Sequence, residues 1–190
     1  VKAGPSAAAE EIGNDLVWLG DPANVGRFAD KRLLRRILTA AERLLVAVSP
    51  EPDVMLWSLW SAKEAAYKAW SRTRKGLFSP VSFVVEFSPG LRSARVVKGE
   101  WSLPVRWTRG PDWVHALAAA DAGPVTVKVE SAEGDPSEAV RALAVRAWSD
   151  AGGPSAKVEG RPPRLVWPGG GHDVSLSHDG PYAAVAFRAP

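Results

Sequence analysis

The chain has 190 residues, no cysteine, nine tryptophans and a formal net charge of +3. Disulfides, thiol catalysis and thiolate metal sites are excluded, and three histidines (His115, His172, His178) argue against a histidine-rich zinc centre. That length holds one domain, or two small halves sharing a core, and its wholly apolar runs, such as 44–48, are far too short to span a bilayer.

Residues 1–11 read as a loose leader without the apolar core of a signal peptide, so a soluble, cytoplasmic chain with no membrane partner is expected. The start at Val1 points to a chain trimmed or cut from a larger polypeptide. Residues 12–19 (IGNDLVWL) form a short strand, and Asp21, Pro22, Asn24 and Gly26 mark a turn. Phe28, Leu33, Leu34 and Ile37 recur at near-helical spacing. Thr39 and Glu42 make a capping box before a second helix, which Ser49-Pro50-Glu51-Pro52 stops. A long helix follows over about 54–72, with Leu56, Trp60, Tyr67 and Trp70 on its apolar face.

The hydrophobic period then changes. Segments 81–87, 93–98, 103–107, 113–120 and 125–130 read as strands. Asp135-Pro136 opens a helix over 137–148, and the Gly- and Pro-rich residues 151–171 read mostly as loop. A last hairpin turns around His178-Asp179-Gly180-Pro181. The expected class is α+β, an antiparallel sheet packed on helices. No strict repeat is visible. Two related halves, 12–122 and 123–190, would form one integrated domain. Trp101, Trp107 and Trp113 are expected in core packing.

Two segments are strongly basic. Arg27, Lys31, Arg32, Arg35, Arg36 and Arg43 face only Asp30 and Glu42, and Lys63, Lys68, Arg72, Arg74 and Lys75 face only Glu64. Such fields attract a polyanion or an acidic protein face, unless they are simply solvated helix faces. Nucleic acid is not the expected partner, since no nucleic-acid-binding signature is present and the tryptophans are not interleaved with the bases.

Three short constellations carry chemistry. Gly13-Asn14-Asp15 puts a carboxylate on a strand, as a hard-cation ligand or a turn aspartate. Residues 60–68 (WSAKEAAYK) place Glu64 and Lys68 on one helix face with Lys63 beside them. This is a metal and phosphate site, an exposed Glu64–Lys68 ion pair, or a capping box from Ser61 to Glu64. Gly160-Arg161-Pro162 and Ser175-Leu176-Ser177-His178 offer a phosphate cradle or a plain hairpin tip.

In this order the constellations resemble the 4′-phosphopantetheinyl transferase superfamily, whose pattern runs G-I-D, W/F-x-x-K-E-A/S-x-x-K, G-K/R-P and S-I/L-S-H. Residues 27–42 (RFADKRLLRRILTAAE) are similar to the carrier-docking helix of its holo-acyl-carrier-protein synthase group. The chain departs from the pattern at Asn14, where isoleucine is usual, and at Val17, where the pseudo-dimeric branch carries a second acid.

The resemblance implies Mg²⁺-dependent transfer of 4′-phosphopantetheine from coenzyme A to a serine of an acyl or peptidyl carrier protein, releasing 3′,5′-ADP. It implies Asp15 and Glu64 as Mg²⁺ ligands, Glu64 also as the base, directly or through a water, and Lys68 and Lys63 against phosphate oxygens. Arg161, Ser177 and His178 would bind the 3′-phosphate and adenine end, and Arg32, Arg35 and Arg36 would dock the carrier. The pathway, fatty-acid, polyketide or peptide, is left open. So is the site's placement within one chain or across a homo-oligomer interface. The alternative is a non-catalytic coenzyme A- or carrier-binding module of a larger synthase.

Overall fold

The computed structural model describes residues 11–88, 94–120 and 123–190. The leader expected over 1–11 lies outside them apart from Glu11. In chain order the elements are β1 (Ile12–Trp18), α1 (Lys31–Ile37), α2 (Ala40–Val48), α3 (Pro52–Trp70), β2 (Val84–Phe87), β3 (Ala94–Lys98), β4 (Trp101–Arg109) and β5 (Trp113–Ala119). Then come β6 (Val125–Ser131), α4 (Pro136–Asp150), β7 (Lys157–Glu159), β8 (Arg164–Trp167), β9 (Gly170–Asp173), β10 (Ser175–Asp179) and β11 (Tyr182–Arg188).

The α+β architecture is as expected. A five-stranded antiparallel sheet runs β1-β5-β4-β3-β2, and two three-stranded sheets run β10-β11-β6 and β7-β8-β9. The last of these corrects the expectation of loop over 151–171. Its strands have only three or four residues each, too short for a periodic pattern. Leu165 and Val158 anchor this sheet in the core around α4.

The two halves share a topology. In the first, α3 covers β1 and the returning strand β5; in the second, α4 covers β11, which returns beside β6. A degenerate sequence repeat accompanies this. Ala66-Tyr67-Lys68-Ala69-Trp70-Ser71 closes α3, and Ala144-Val145-Arg146-Ala147-Trp148-Ser149 lies in α4. Ala66 and Ala144, Ala69 and Ala147, and Trp70 and Trp148 are all buried. A glycine downstream meets each tryptophan: a Cβ on Gly76 would lie 2.8 Å from Trp70, and one on Gly153 would lie 2.1 Å from Trp148.

Small residues set how closely the first half packs. Ala62, Ala65, Ala66 and Ala69 are fully buried and give α3 a flat face against the sheet. Gly13 completes the approach, because a Cβ there would lie 1.9 Å from the Ala65 carbonyl oxygen and 2.7 Å from the Ala69 nitrogen. Both obstacles are helix backbone and cannot rotate away. Gly13→Ala should therefore cost about 3 kcal/mol through overpacking, read as a drop in unfolding free energy in urea.

Glu42 ties the helices to the sheet. It is buried, accepts the Thr39 N–H at 2.7 Å in the expected capping box, accepts the Val85 N–H at 2.9 Å, and pairs with Lys63 at 2.7 Å. The tryptophans expected in the core are only half-buried at 101, 107 and 113. Trp101 Nε1 donates to Glu11 at 3.1 Å and Trp107 Nε1 to the Ser58 carbonyl at 2.9 Å. Trp113 meets Tyr182 with ring centroids 6.2 Å apart. An indole that must keep its N–H satisfied sits at a core margin more readily than at its centre.

Candidate active site at the seam of the halves

β1 is an edge strand of the five-stranded sheet, and its outer main-chain groups need partners. β10 of the second half supplies them from side chains. The N–H groups of Asn14, Leu16 and Trp18 donate to Ser175 Oγ at 2.8 Å, Ser177 Oγ at 3.1 Å and Asp179 Oδ2 at 2.8 Å. The pairs advance together by two residues, so β1 and β10 run in the same direction. Adjacent strand residues face opposite sides, and alternation therefore aims Ser175, Ser177 and Asp179 at β1 together.

The carbonyl groups along this seam are gathered by two cations at i and i+4. Lys68 Nζ donates to the Asn14 oxygen at 3.0 Å and the Leu176 oxygen at 3.3 Å. Arg72 donates to the Ile12 oxygen at 3.1 Å and to the Val174 oxygen, and it lies 3.5 Å from Asp173. Each cation thus bridges the two halves of the fold.

Asp15 sits at the centre, 8% exposed. Its Oδ1 receives Lys68 Nζ at 2.8 Å and the Ser177 hydroxyl at 3.0 Å. Glu64 lies one helical turn before Lys68. Burial pushes its carboxyl up to about 7, the neighbouring Asp15 charge adds to that, and Lys68 opposes it. The expected Glu64–Lys68 ion pair is not formed, because the ammonium is held by Asp15. The expected capping box from Ser61 to Glu64 is absent too: α3 begins at Pro52, and Ser61 Oγ donates back to the Ser58 carbonyl at 3.0 Å.

Burial and the Asp15 charge together disfavour the charged form of Glu64, so a further cation beside the two carboxyl groups would be welcome. Their oxygens suit a hard divalent cation that keeps several waters. No cluster of three His, Cys, Asp or Glu able to hold a metal occurs among the described residues, so water and substrate oxygens would have to complete any shell. Lys68, the ion-pair partner of Asp15, also lines a cleft of about 350 Å³ together with Arg72, Ser175, Pro162 and Pro163.

Not every expected site residue joins the cluster. Lys63 is fully buried in its pair with Glu42 and also donates to the Pro80 carbonyl at 3.1 Å. Burial pushes its pKa down, against the pull of Glu42. It cannot also face phosphate. Ser177 is buried, and its hydroxyl is engaged with Leu16 and Asp15 rather than open to a ligand. Ser177→Ala should cost about 1–3 kcal/mol by stranding a buried donor, read by denaturant unfolding. Arg161 and His178 are exposed, and their side chains make no hydrogen bond or ion pair among the described residues. Arg161 adjoins the prolines of the cleft wall, and His178 points to the side of β10 opposite Ser177. Arg32, Arg35 and Arg36 are exposed on α1.

Behind the seam, burial pushes His115 down to about 4 with Lys68 contributing, so the ring is neutral. Its Nε2 accepts from Asn14 Nδ2 at 3.1 Å. Asn14, where the family usually has isoleucine, is thus a buried polar partner of His115. Ser175 and Arg72, named in the sequence only within a motif and a basic segment, and Asp179 take roles at the seam that the sequence reading did not assign. Their signals were the Ser175-x-Ser177-x-Asp179 alternation and the four-residue spacing of Lys68 and Arg72.

The model of the 4′-phosphopantetheinyl transferase superfamily matches residues 11–118, more than half of the chain, and the chain belongs to that superfamily. Its chemistry is of the phosphopantetheine-transfer class. Among solved structures the chain is similar to holo-[acyl-carrier-protein] synthase from Neisseria meningitidis, at 22% identity and a TM-score of 0.49, over 58% of this chain and 96% of that one. No curated protein matches it. The region of the family match ends before Gly160 and Ser175, and the seam brings β10 against it within one chain.

Proposed function

We propose that the chain transfers 4′-phosphopantetheine from coenzyme A to a serine of an apo carrier protein, with 3′,5′-ADP as the leaving product. The observation that carries this reading is the convergence of Asp15, Glu64 and Lys68 beside a cleft at the junction of the two halves. A Mg²⁺ ion held by Asp15 and Glu64 would neutralise pyrophosphate charge as it shifts to the leaving group. Lys68 adds a fixed cation on the same side. Ser177 and Lys68 orient Asp15, and Glu64 holds the proton released by the carrier serine. The cleft takes the coenzyme A end, with Arg161 and His178 at its margin for the 3′-phosphate. Residues 12–122 and 123–190 act as one integrated domain. Only the first half keeps the acid pair: Arg146 pairs with Glu130 at 3.0 Å, as Lys68 does with Asp15, but Ala142 stands where Glu64 does.

The test is incubation with coenzyme A, Mg²⁺ and several apo acyl and peptidyl carrier proteins, followed by intact mass. A phosphopantetheine increment on a carrier is expected. No increment on any carrier refutes the reading. Coenzyme A binding without transfer would instead identify a non-catalytic binding module, the alternative that Asn14 and Val17 favour.

The exposed Arg32, Arg35 and Arg36 would steer an acidic carrier to α1, an effect on association rate that salt screens. Arg35→Glu should slow carrier loading about tenfold at low ionic strength and much less at high salt. Equal slowing at both, measured by initial rates, would count against docking on α1.

A further inference from the structure

α2 is amphipathic the wrong way round for a surface helix. Its acid, Glu42, points inward to Lys63 and is 1% exposed, beside buried Val46. Ala40, Ala41, Leu44, Ala47 and Val48 all face out, with Leu44 67% and Val48 78% exposed. At about 100° per residue these five cover one continuous arc of about 120° along the whole helix. No charged or polar side chain interrupts the arc. The chain leaves it at Ser49, one wall of a pocket of about 270 Å³ whose other walls include Met55, Phe87 and Trp107. An apolar stripe of this kind on a surface marks an interaction site.

Charge decides the partner. Lys31, Arg32, Arg35 and Arg36 are exposed on α1, which ends three residues before α2 begins, and Arg43 adjoins the stripe. The one acid between Lys31 and Val48 is Glu42, which is buried and already neutralised. A second copy of this chain would bring like charge against like across the stripe. An acidic helix with an apolar face meets both features.

We propose that the outward face of α2 docks an amphipathic helix of the acidic carrier protein, its apolar side chains on Leu44 and Val48 and its acids toward α1. This rests on the transfer reading above and extends the docking surface beyond the α1 arginines. The contact is apolar, so its contribution does not fade with salt, whereas that of Arg35 does.

The experiment compares initial rates of carrier loading by the wild-type chain and by Leu44→Gln/Val48→Gln, over a range of apo carrier concentration at low and at high salt. The expected result is a carrier KM raised about tenfold at both salts, with kcat and the melting temperature unchanged. Leu44→Ile/Val48→Ile should restore the wild-type KM. An unchanged KM in a chain that loads the carrier overturns the docking proposal alone, whereas a wild-type chain that loads no carrier overturns it together with the transfer reading. A wild-type dimer in sedimentation that the glutamine variant dissolves also overturns it, since a second copy would then cover the stripe.

Discussion

Lys63→Met should lower the unfolding free energy by about 3–5 kcal/mol, the cost of leaving a buried carboxylate without its partner. Lys63 is the fully buried member of a pair that joins α3 to α2, and through Glu42 to β2. Methionine keeps the stem's volume and removes the charge. Glu42 then retains its two main-chain donors, Thr39 and Val85, with no cation beside it. Adding Glu42→Gln should recover part of the loss, because the amide removes the uncompensated charge and still accepts from the backbone. Urea unfolding of both variants checks this. A Lys63→Met protein as stable as wild type would mean that the buried pair contributes nothing net, and a double variant no more stable than the single one would mean that Glu42 is not the source of the penalty.

Glu64→Gln should reduce carrier loading by about 10³-fold or more at saturating coenzyme A and carrier, with little change in stability. The substitution keeps the shape and removes both the charge that a cation needs and the proton acceptor. Stability is spared, or slightly raised, for a reason visible in the sign of the Glu64 shift. Its folded pKa is about 7 against an ordinary 4.5, so the folded state resists ionising this group. Between those values the unfolded chain gives up the proton and the folded chain keeps it, and stability falls as pH rises through that window. The neutral amide removes this pH dependence. In the wild type, loading should fall as pH drops below about 7, with a midpoint that moves lower as Mg²⁺ is raised, because proton and cation compete for the same oxygens. Single-turnover rates across pH at two Mg²⁺ concentrations measure it. A Glu64→Gln protein that retains wild-type loading would remove Glu64 from the chemistry.

The contrast between these neighbours shows where a one-dimensional reading stops. Both Lys63 and Lys68 lie near Glu64 in sequence, and both belong to the same family motif. Around a helix, Lys68 is about 40° from Glu64 and Lys63 about 100° away on the other flank. Which flank reaches the seam and which enters the core depends on how α3 is rolled on the sheet. Ala62, Ala65, Ala66, Ala69 and Gly13 decide that roll by close packing, and the roll buries Lys63 with Glu42, 21 positions away in the chain and outside any local pattern. The Thr39–Glu42 capping box, by contrast, spans four residues and was fully legible, although the same Glu42 side chain also reaches Lys63 and Val85.

Ser177 makes the same point on a strand. Alternation alone separates it from His178, and the motif suggested that both face a ligand. The parallel alignment of β10 with β1 gives the Ser177 hydroxyl two protein partners instead, one of them the candidate metal-binding carboxylate. No spacing within 175–179 could show this, because the partner strand lies 161 positions away in the chain.

Composition excluded cysteine chemistry, periodicity placed α3 and the final hairpin, and the order of the short motifs was enough to indicate the superfamily. These are local properties, carried by neighbours within a turn of helix or a pair of strand residues. The union of the site was not local. Asp15 and Glu64 come from the first half and Ser177 from the second, and they meet because an unpaired edge of β1 needed hydrogen-bond partners that β10, Lys68 and Arg72 supply. Tertiary structure alone decided that one chain completes the cluster, that Lys63 is buried against Glu42 rather than turned to the seam, and that α2 turns its apolar side outward, since each depends on which faces are covered when the two halves close.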